Sequence, residues 1–151
     1  MSLPSLPADH AERMRLVRLS LEGLSIGDAF GEQFFHFPEW IARREAPPPR
    51  WRYTDDTAMA AGLCRVLAAH GDVVQDELAR VFAEEYVAEP HRGYGGSVQG
   101  VLRAIHGGTP WREAATLAFP EGSWGNGGAM RVAPVGAYFH DDLERAADAR
   151  P

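Results

Sequence analysis

The densest group of side chains able to do chemistry is Thr54-Asp55-Asp56-Thr57, where two adjacent carboxylates stand between two hydroxyls. Oxygen ligands of this kind suit a hard cation such as Mg²⁺ or Mn²⁺. The same run precedes an alanine-rich, helix-forming segment, and Thr and Asp are favoured helix caps whose charge complements the helix dipole. Taken alone, the motif favours a capped helix over a metal site, because far more helices need caps than bind metals.

Two glycine-rich loops, residues 91–97 and 122–128, also stand directly before expected helices. A helix N-terminus approached by glycines offers free backbone N–H groups and a positive dipole end, which can hold a phosphate. Each loop alone is weak support, because glycine clusters often only terminate helices. Together with the acidic motif they favour a site for an anionic, nucleotide-like ligand.

Helical periodicity predicts the elements that must position these groups, and no alternating β-branched runs dominate. Expected helices cover about 9–34, 57–69, 75–88 and 97–106; a short fifth has Thr109 as N-cap and Pro110 as first residue. Residues 35–53 read as an ordered loop, 129–138 as an apolar segment kinked at Pro134, and Asp141-Asp142 as the start of a last helix. The fold class predicted is all-α.

A glycine stripe interrupts the first expected helix. Gly23, Gly27 and Gly31 recur every four residues and should cost a helix about 1 kcal/mol each relative to Ala. The stripe therefore predicts that another backbone or a ligand comes very close to this face.

Length and composition narrow the function classes. The 151 residues fit one domain, and a formal net charge of −6, with fifteen Arg and no Lys, argues against nucleic acid or an anionic membrane as partner. The single Cys64 excludes an intramolecular disulfide and a Cys-based zinc site. No signal peptide or membrane span is expected, so we expect a cytoplasmic protein, with residues 1–8 disordered and the domain over 9–151.

Four motifs, read in order, resemble the ADP-ribosylglycohydrolase family, which includes dinitrogenase reductase-activating glycohydrolase and the ADP-ribosyl-acceptor hydrolases. The resemblance runs from about residue 18 to the C-terminus, as an N-terminal portion of the family domain. The motifs are Gly23-x-x-x-Gly27-Asp28-Ala29-Phe30-Gly31, Tyr53-Thr54-Asp55-Asp56-Thr57, Gly93-Tyr94-Gly95, and Gly125-Asn126-Gly127-Gly128-Ala129-Met130-Arg131-x-x-Pro134.

The resemblance implies an all-α fold, two Mg²⁺ or Mn²⁺ ions, and hydrolysis of an N- or O-glycosidic bond at the distal ribose of ADP-ribose. Thr54, Asp55 and Asp56 match the N-terminal metal ligands, and Asp55 and Asp56 are the implied catalytic carboxylates. Trp124 is placed to stack on a base or ribose. The residues that match segments lining the ADP-ribose pocket are Gly93, Tyr94, Gly95, Gly96, Trp124, Gly125, Asn126 and Gly127.

Two departures from the family pattern qualify the catalytic assignment. The family glutamate that follows Asp28 by seven residues is replaced by Phe35, and Glu32 is the candidate general base in its place. The family's second acidic motif, near the end of a considerably longer domain, has no counterpart here. We therefore expect half of a dinuclear site, with weak metal binding and little turnover unless the other half is supplied.

Other interpretations stay open at this stage. The chain could be a non-catalytic ADP-ribose or nucleotide-binding module, with Phe35 marking lost chemistry, or a dimetal phosphohydrolase of unrelated ancestry. Asp28 is expected to hold a neighbouring loop by hydrogen bonds, and Arg131 to form a structural ion pair, with Asp28 or a loop carbonyl as the candidate partner. Trp124 could equally be a core residue. The sequence does not indicate the acceptor from which ADP-ribose would be removed, nor the oligomeric state.

Overall fold

A computed structural model describes residues 6–149, and this part of the chain contains helices and no strand, which confirms the all-α prediction. Of the eight residues predicted to be disordered, 1–5 lie outside the described residues. No helix within 6–149 is long and apolar enough to cross a bilayer. The helices are α1 (His10–His36), α2 (Glu39–Arg43), α3 (Asp55–His70), α4 (Gln75–Ala88), α5 (Gly96–His106), α6 (Trp111–Ala118), α7 (Gly127–Arg131), α8 (Ala133–Tyr138) and α9 (Leu143–Asp148).

Helix α3 is the centre of the core and packs against α1, α4, α7 and α8. Its alanines and glycine let neighbouring helices approach on several sides, while Leu63, Val66 and Leu67 are at most 1% exposed. Gly71 ends α3 in the left-handed conformation (φ 64°), as the sequence predicted. The other buried apolar side chains of this cluster include Val17, Met59, Leu78, Val81, Phe82, Leu102, Val135, Tyr138 and Phe139.

The N-terminal half of α1 is fixed to the far end of the chain. Arg13 makes two charge-assisted hydrogen bonds of 2.6 Å to the carboxylate of Asp141 and a third, of 2.7 Å, to the Tyr138 carbonyl. His10 Nδ1 lies 2.7 Å from the Tyr138 hydroxyl. These contacts hold α1 against α8, so that its other half projects toward the start of α3.

The observed helices differ from the predicted ones at four places. Residues 35–53 include α2, a single turn, where the sequence predicted only a loop. Helix α3 begins at Asp55 rather than Thr57, because Thr54 already caps it. Pro110 has extended backbone (ψ 134°), so it is the N-cap of α6 and not its first residue.

The fourth difference is the segment 129–138, which divides into α7 and α8. Pro134 has no N–H with which to continue a helix from α7, and it therefore lies in the first turn of a new helix. The predicted kink is thus a break between two short helices. The prediction of a helix start at Asp141-Asp142 is confirmed, since the Asp142 side chain accepts a hydrogen bond from Arg145 N.

Candidate functional site

The acidic motif forms the first turn of α3 and is a true helix cap. Thr54 is extended (φ −107°, ψ −163°), and its Oγ1 accepts a hydrogen bond of 3.3 Å from Asp56 N. Asp55 N donates to the Arg92 carbonyl at 2.7 Å, which ties the motif to the loop before α5. The capping interpretation is therefore confirmed, and the carboxylate side chains of Asp55 and Asp56 are not used as the cap.

Asp28, on α1, holds this turn in place. Its Oδ2 accepts hydrogen bonds from Thr54 N (2.8 Å), Thr57 N (3.2 Å) and Thr57 Oγ1 (2.5 Å), and its Oδ1 accepts one from Thr54 Oγ1 (2.7 Å). This confirms that Asp28 acts by holding a neighbouring segment. Because all four bonds run from one carboxylate to one helix start, the orientation of α3 depends on α1.

The resulting cluster carries excess negative charge. Partial burial, and then the neighbouring Asp56, raise the pKa of Asp55 to about 6. Burial, and then Asp28, raise the pKa of Asp56 above its ordinary value. Within residues 6–149 no Arg or His forms an ion pair with Asp28, Asp55 or Asp56. Bringing a cation here would offset the repulsion that these pKa values report.

The donor chemistry fits a hard divalent cation, although the set is incomplete. Carboxylate and hydroxyl oxygens of Thr54, Asp55 and Asp56 are ligands that Mg²⁺ and Mn²⁺ prefer. In the described part of the chain, however, no three Asp, Glu, His or Cys side chains converge so as to hold a metal among them. Thr54, Asp55 and Asp56 could therefore supply only part of the ligands of a metal ion, and the two ions stay a prediction.

Glu32 lies one turn beyond Asp28 on α1 and faces the same cluster. Its charge raises the pKa of both Asp55 and Asp56, and its Oε1 lies 3.1 Å from His36 Nε2. Phe35 is 85% exposed on the same helix. The regular helix, without rotation, therefore brings Glu32 toward the acidic motif; its role as general base remains a prediction.

The first glycine-rich turn touches the acidic motif directly. A Cβ added to Gly93, whose φ is 90°, would lie 3.6 Å from Asp55 Oδ1. Gly95 and Gly96 open α5 with no atom within 4 Å of an added Cβ, so a ligand can approach their backbone. Tyr94, predicted to contact substrate, is instead 4% exposed and packs edge-on against Tyr86, so it supports the turn from the core side.

The second glycine-rich loop leads into α7 beside an apolar groove. Trp124 is fully exposed, which excludes the core interpretation and leaves its indole free to stack on a ligand. Gly125 N donates to Ser123 Oγ at 3.1 Å, and Asn126 occupies the N-cap position of α7. Gly125 and Gly127 line a groove whose opposite wall is α5, including Val98 and Leu102.

Arg131 lies at the base of this groove, and the prediction of an ion pair with Asp28 is wrong. All of the hydrogen bonds of Asp28 go to Thr54 and Thr57, whereas the Arg131 guanidinium lies 4.8 Å from the Phe82 ring centroid. One of its N–H groups contacts Met59 Sδ at 3.5 Å. Burial lowers the pKa of Arg131, with Asp55 opposing that shift by its charge. Cation–π contact replaces the expected ion pair.

One set of residues beside the acidic motif was missed from the sequence. Arg50 and Arg52 line an open cleft together with Glu32, Thr54 and Gly93. Their position directly before Tyr53-Thr54 was the available signal, but a two-residue spacing of arginines in a loop has no chemical signature of its own.

Comparison with known proteins gives one family. A sequence model described as ADP-ribosylglycohydrolase matches residues 8–150. ADP-ribosylhydrolase ARH3 of Gallus gallus is 38% identical over 107 residues, covering 69% of this chain and 28% of that protein. The Homo sapiens ADP-ribosylhydrolase ARH3 is 41% identical over 86 residues, covering 55% of this chain and 24% of that protein. The ADP-ribosyl-[dinitrogen reductase] glycohydrolase of Rhodospirillum rubrum is 32% identical over 125 residues, covering 75% and 41% respectively.

The matched region thus spans between about a quarter and two fifths of the length of these relatives. The family match covers the acidic motif, both glycine-rich loops and every helix from α1 to α9. The chain belongs to the ADP-ribosylglycohydrolase family.

Proposed function

We propose that this chain provides the N-terminal ligand half of a metal-dependent ADP-ribosyl glycohydrolase. The observation that supports the proposal most directly is the start of α3, where Asp55 and Asp56 lie side by side and form no ion pair with any of residues 6–149. Hydrolysis of an ADP-ribosyl bond by such an enzyme falls within the hydrolase class named for the relatives.

Different residues at the start of α3 and on α1 would have different roles in such a reaction. Thr54, Asp55 and Asp56 would hold Mg²⁺ or Mn²⁺, which when bound orients ribose hydroxyls and offsets charge at an oxocarbenium-like centre. Asp28 fixes the direction of these ligands through its hydrogen bonds to Thr54 and Thr57. Glu32, facing the same cluster, is the carboxylate available to take a proton from water.

ADP-ribose would lie across the two glycine-rich segments. The backbone of Gly95 and Gly96 at the start of α5 suits a phosphate, since both residues are exposed and α5 is eleven residues long. The exposed indole of Trp124 suits a base or ribose. Substrates would then be ADP-ribosylated proteins or small molecules, while the charge of −6 gives no support to nucleic acid.

A non-catalytic ADP-ribose-binding module is the second candidate, favoured by one observation. Phe35 replaces the family glutamate, and its phenyl side chain has no group that can transfer a proton. If the chemistry is lost, ADP-ribose should bind without help from a metal.

Titration calorimetry with ADP-ribose, with and without Mg²⁺, separates these candidates. We expect Mg²⁺ to tighten binding in the unchanged protein, and the double variant Asp55→Asn, Asp56→Asn to remove that effect. Glu144→Gln, Asp148→Asn, which neutralises two exposed carboxylates on α9, is the matched control and should keep the Mg²⁺ effect. Tight binding that ignores Mg²⁺ and survives the double variant would favour the module, and release of phosphate without free ADP-ribose would favour an unrelated phosphohydrolase.

A cytoplasmic location also remains a proposal. Cys64 is free and buried, and its burial raises its pKa to about 12, so the thiol is unreactive. A chain whose single thiol is protected in this way suits a reducing compartment without requiring it.

A further inference from the structure

A second cleft opens beside the acidic motif, away from the Trp124 loop. It has a volume of about 820 Å³, and we call it the arginine cleft. It shares no lining residue with the apolar groove beneath the second glycine-rich loop. Its lining residues that matter here are Glu32, Arg50, Arg52, Thr54, Glu89 and Arg92.

Two positive charges in this cleft are uncompensated. Arg92 pairs with Glu89 at 2.8 Å, and its guanidinium lies 3.8 Å from the Tyr53 ring centroid. The charge of Arg92 is therefore already balanced by its neighbours. Arg50 and Arg52, in contrast, have no hydrogen bond, ion pair or ring contact to any described residue. Three arginines and two glutamates line the cleft, so its own lining has an excess of positive charge in a protein of net charge −6.

The backbone that presents these arginines is constrained. Trp51, which stands between them, donates its indole N–H to the Pro48 carbonyl at 2.8 Å and packs edge-on against Phe30 of α1 at 5.0 Å. Arg50 itself has φ 88°, a left-handed value that non-glycine residues rarely adopt. An arginine thus occupies a position whose backbone conformation favours glycine, on a segment that Trp51 anchors.

The position of the cleft indicates which part of a substrate it meets. Thr54 and Gly93 form one wall, so the cleft begins at the proposed metal ligands. Of the residues proposed to contact ADP-ribose, Gly93 lines the cleft, whereas Gly95, Gly96 and Trp124 do not. The cleft therefore leads away from the proposed metal ligands, past one edge of the proposed ADP-ribose site at Gly93, to Arg50 and Arg52.

We propose that the arginine cleft is an acceptor subsite that binds acidic residues next to the ADP-ribosylated side chain of a peptide. The inference rests on the proposed function, because it places the scissile bond at Thr54–Asp56. Guanidinium groups recognise carboxylates by paired N–H donors, and their unpaired state here leaves that capacity free. The cleft then selects substrates by the acceptor and not by the nucleotide.

The test uses two ADP-ribosylated peptides that differ only in having three glutamates or three glutamines beside the modified residue. With Mg²⁺ at low ionic strength, we expect the glutamate peptide to bind the unchanged protein about fivefold more tightly, the scale of two exposed ion pairs. The double variant Arg50→Glu, Arg52→Glu should abolish or invert this preference. The single variant Arg52→Gln, which leaves Arg50 and its left-handed backbone unchanged, should reduce the preference for the glutamate peptide to about twofold.

The matched control is Arg15→Glu, Arg18→Glu, which makes the same change of net charge at two exposed positions of α1 and should keep the preference. Free ADP-ribose should bind the arginine-cleft variants within about twofold of the unchanged protein. Equal binding of the two peptides to the unchanged protein would overturn the inference, and so would a loss of the glutamate preference in the control variant as large as in the arginine-cleft variant. If the arginine-cleft variant lost affinity for free ADP-ribose as much as for the glutamate peptide, the arginines would instead be assigned to the diphosphate of ADP-ribose. If free ADP-ribose does not bind the unchanged protein, the proposed function itself fails, and the inference with it.

Discussion

The two halves of α1 are held in opposite ways. In the N-terminal half Met14 and Val17 are buried against α3 and α8, and Arg13 is bound to Asp141. In the C-terminal half Ile26 is 64% exposed, and nothing lies within 4 Å of a Cβ added to Gly23, Gly27 or Gly31. One continuous helix therefore joins a packed segment to an open one.

The open half keeps its place mainly through Asp28 and through aromatic contact. Phe30 packs edge-on against both Phe34 and Trp51, with centroids 5.0 Å apart in each pair. Asp28 reaches Thr54 and Thr57 of the next element. The contrast teaches that the packed half supplies stability, whereas the open half supplies the geometry of the site through one carboxylate.

The largest effect is expected for Asp28→Ala. The change removes four hydrogen bonds to a carboxylate and leaves the partly buried donors of Thr54 and Thr57 without that partner, which should cost roughly 3 kcal/mol of the free energy of unfolding. Loss of the Mg²⁺ effect on ADP-ribose binding should accompany it, because the ligand turn is released. Urea denaturation and calorimetry measure the two quantities.

Glu22→Ala is the control for that variant, since it removes an exposed carboxylate from the same helix and should change stability by less than about 0.5 kcal/mol. If Asp28→Ala were no more destabilising than Glu22→Ala, the open half would not depend on Asp28, and the contrast between the two halves would lose its physical basis.

Truncation of one apolar side chain in each half should separate them next. Val17 is fully buried, so Val17→Ala should cost roughly 2 kcal/mol. Ile26→Ala, in the open half, should cost at most about 0.5 kcal/mol. The pair is measured by the shift of the denaturation midpoint at constant slope. Equal costs would show that Ile26 is covered in solution, contrary to the structure.

The packed elements were predictable from the sequence because their signals are local. The apolar spacing of α3 and α4, the closing Gly71 and the cap at Asp142 each follow from neighbouring residues. The acidic motif could likewise be singled out, since adjacent hydroxyls and carboxylates before a helix are typical of caps and suit hard cations. The family resemblance added the order of motifs, and the family match confirms it.

What could not be predicted depends on contacts between distant elements. The core position of Tyr94 and the cation–π contact of Arg131 with Phe82 arise where α4, α5 and α7 meet, and no local pattern encodes that meeting. The arginine cleft was missed for the same reason, because α1, the loop before α3 and the loop after α4 form it together. The open face of α1 was read as a place of close approach, which nothing among residues 6–149 supplies.

The packed region also carries an electrostatic defect, at Glu85 of α4. Its Oε2 is buried without a hydrogen-bond partner in the described structure, and burial, despite Arg65 nearby, raises the pKa of Glu85 to about 7. The folded state therefore holds this proton more tightly than the unfolded chain, whose pKa is near 4.5. The resulting stability is complete below about pH 4.5 and is lost as pH rises through 7.

We expect Glu85→Gln to remove this loss, so that between pH 5 and pH 8 the unchanged protein should lose roughly 2 kcal/mol more than the variant. The raised pKa of Asp55 contributes the same downward slope to both proteins and cancels in the comparison. Urea denaturation at the two pH values measures the difference. If the free energy of unfolding changed with pH in the same way for both proteins, Glu85 would be solvated. The packed region would then be as accessible to water at Glu85 as the open half of α1 is.

The smallest effect, and the sharpest contrast, is expected at two helical glycines. A methyl group added at Gly23, in the open half of α1, meets no atom within 4 Å, so Gly23→Ala should stabilise the protein by about 0.5–1 kcal/mol through helix propensity and reduced freedom of the unfolded chain. At Gly62, inside the packed α3, the added Cβ would lie 2.7 Å from Glu85 Oε2 and 3.0 Å from Val81 Cγ1, so Gly62→Ala should destabilise by about 1 kcal/mol or more. Thermal denaturation of the two variants gives opposite signs if the two regions differ as described. If Gly23→Ala were destabilised, another backbone would cover the stripe of Gly23, Gly27 and Gly31 in solution. If Gly23→Ala were stabilised but bound ADP-ribose more weakly, the ligand itself would lie against this stripe.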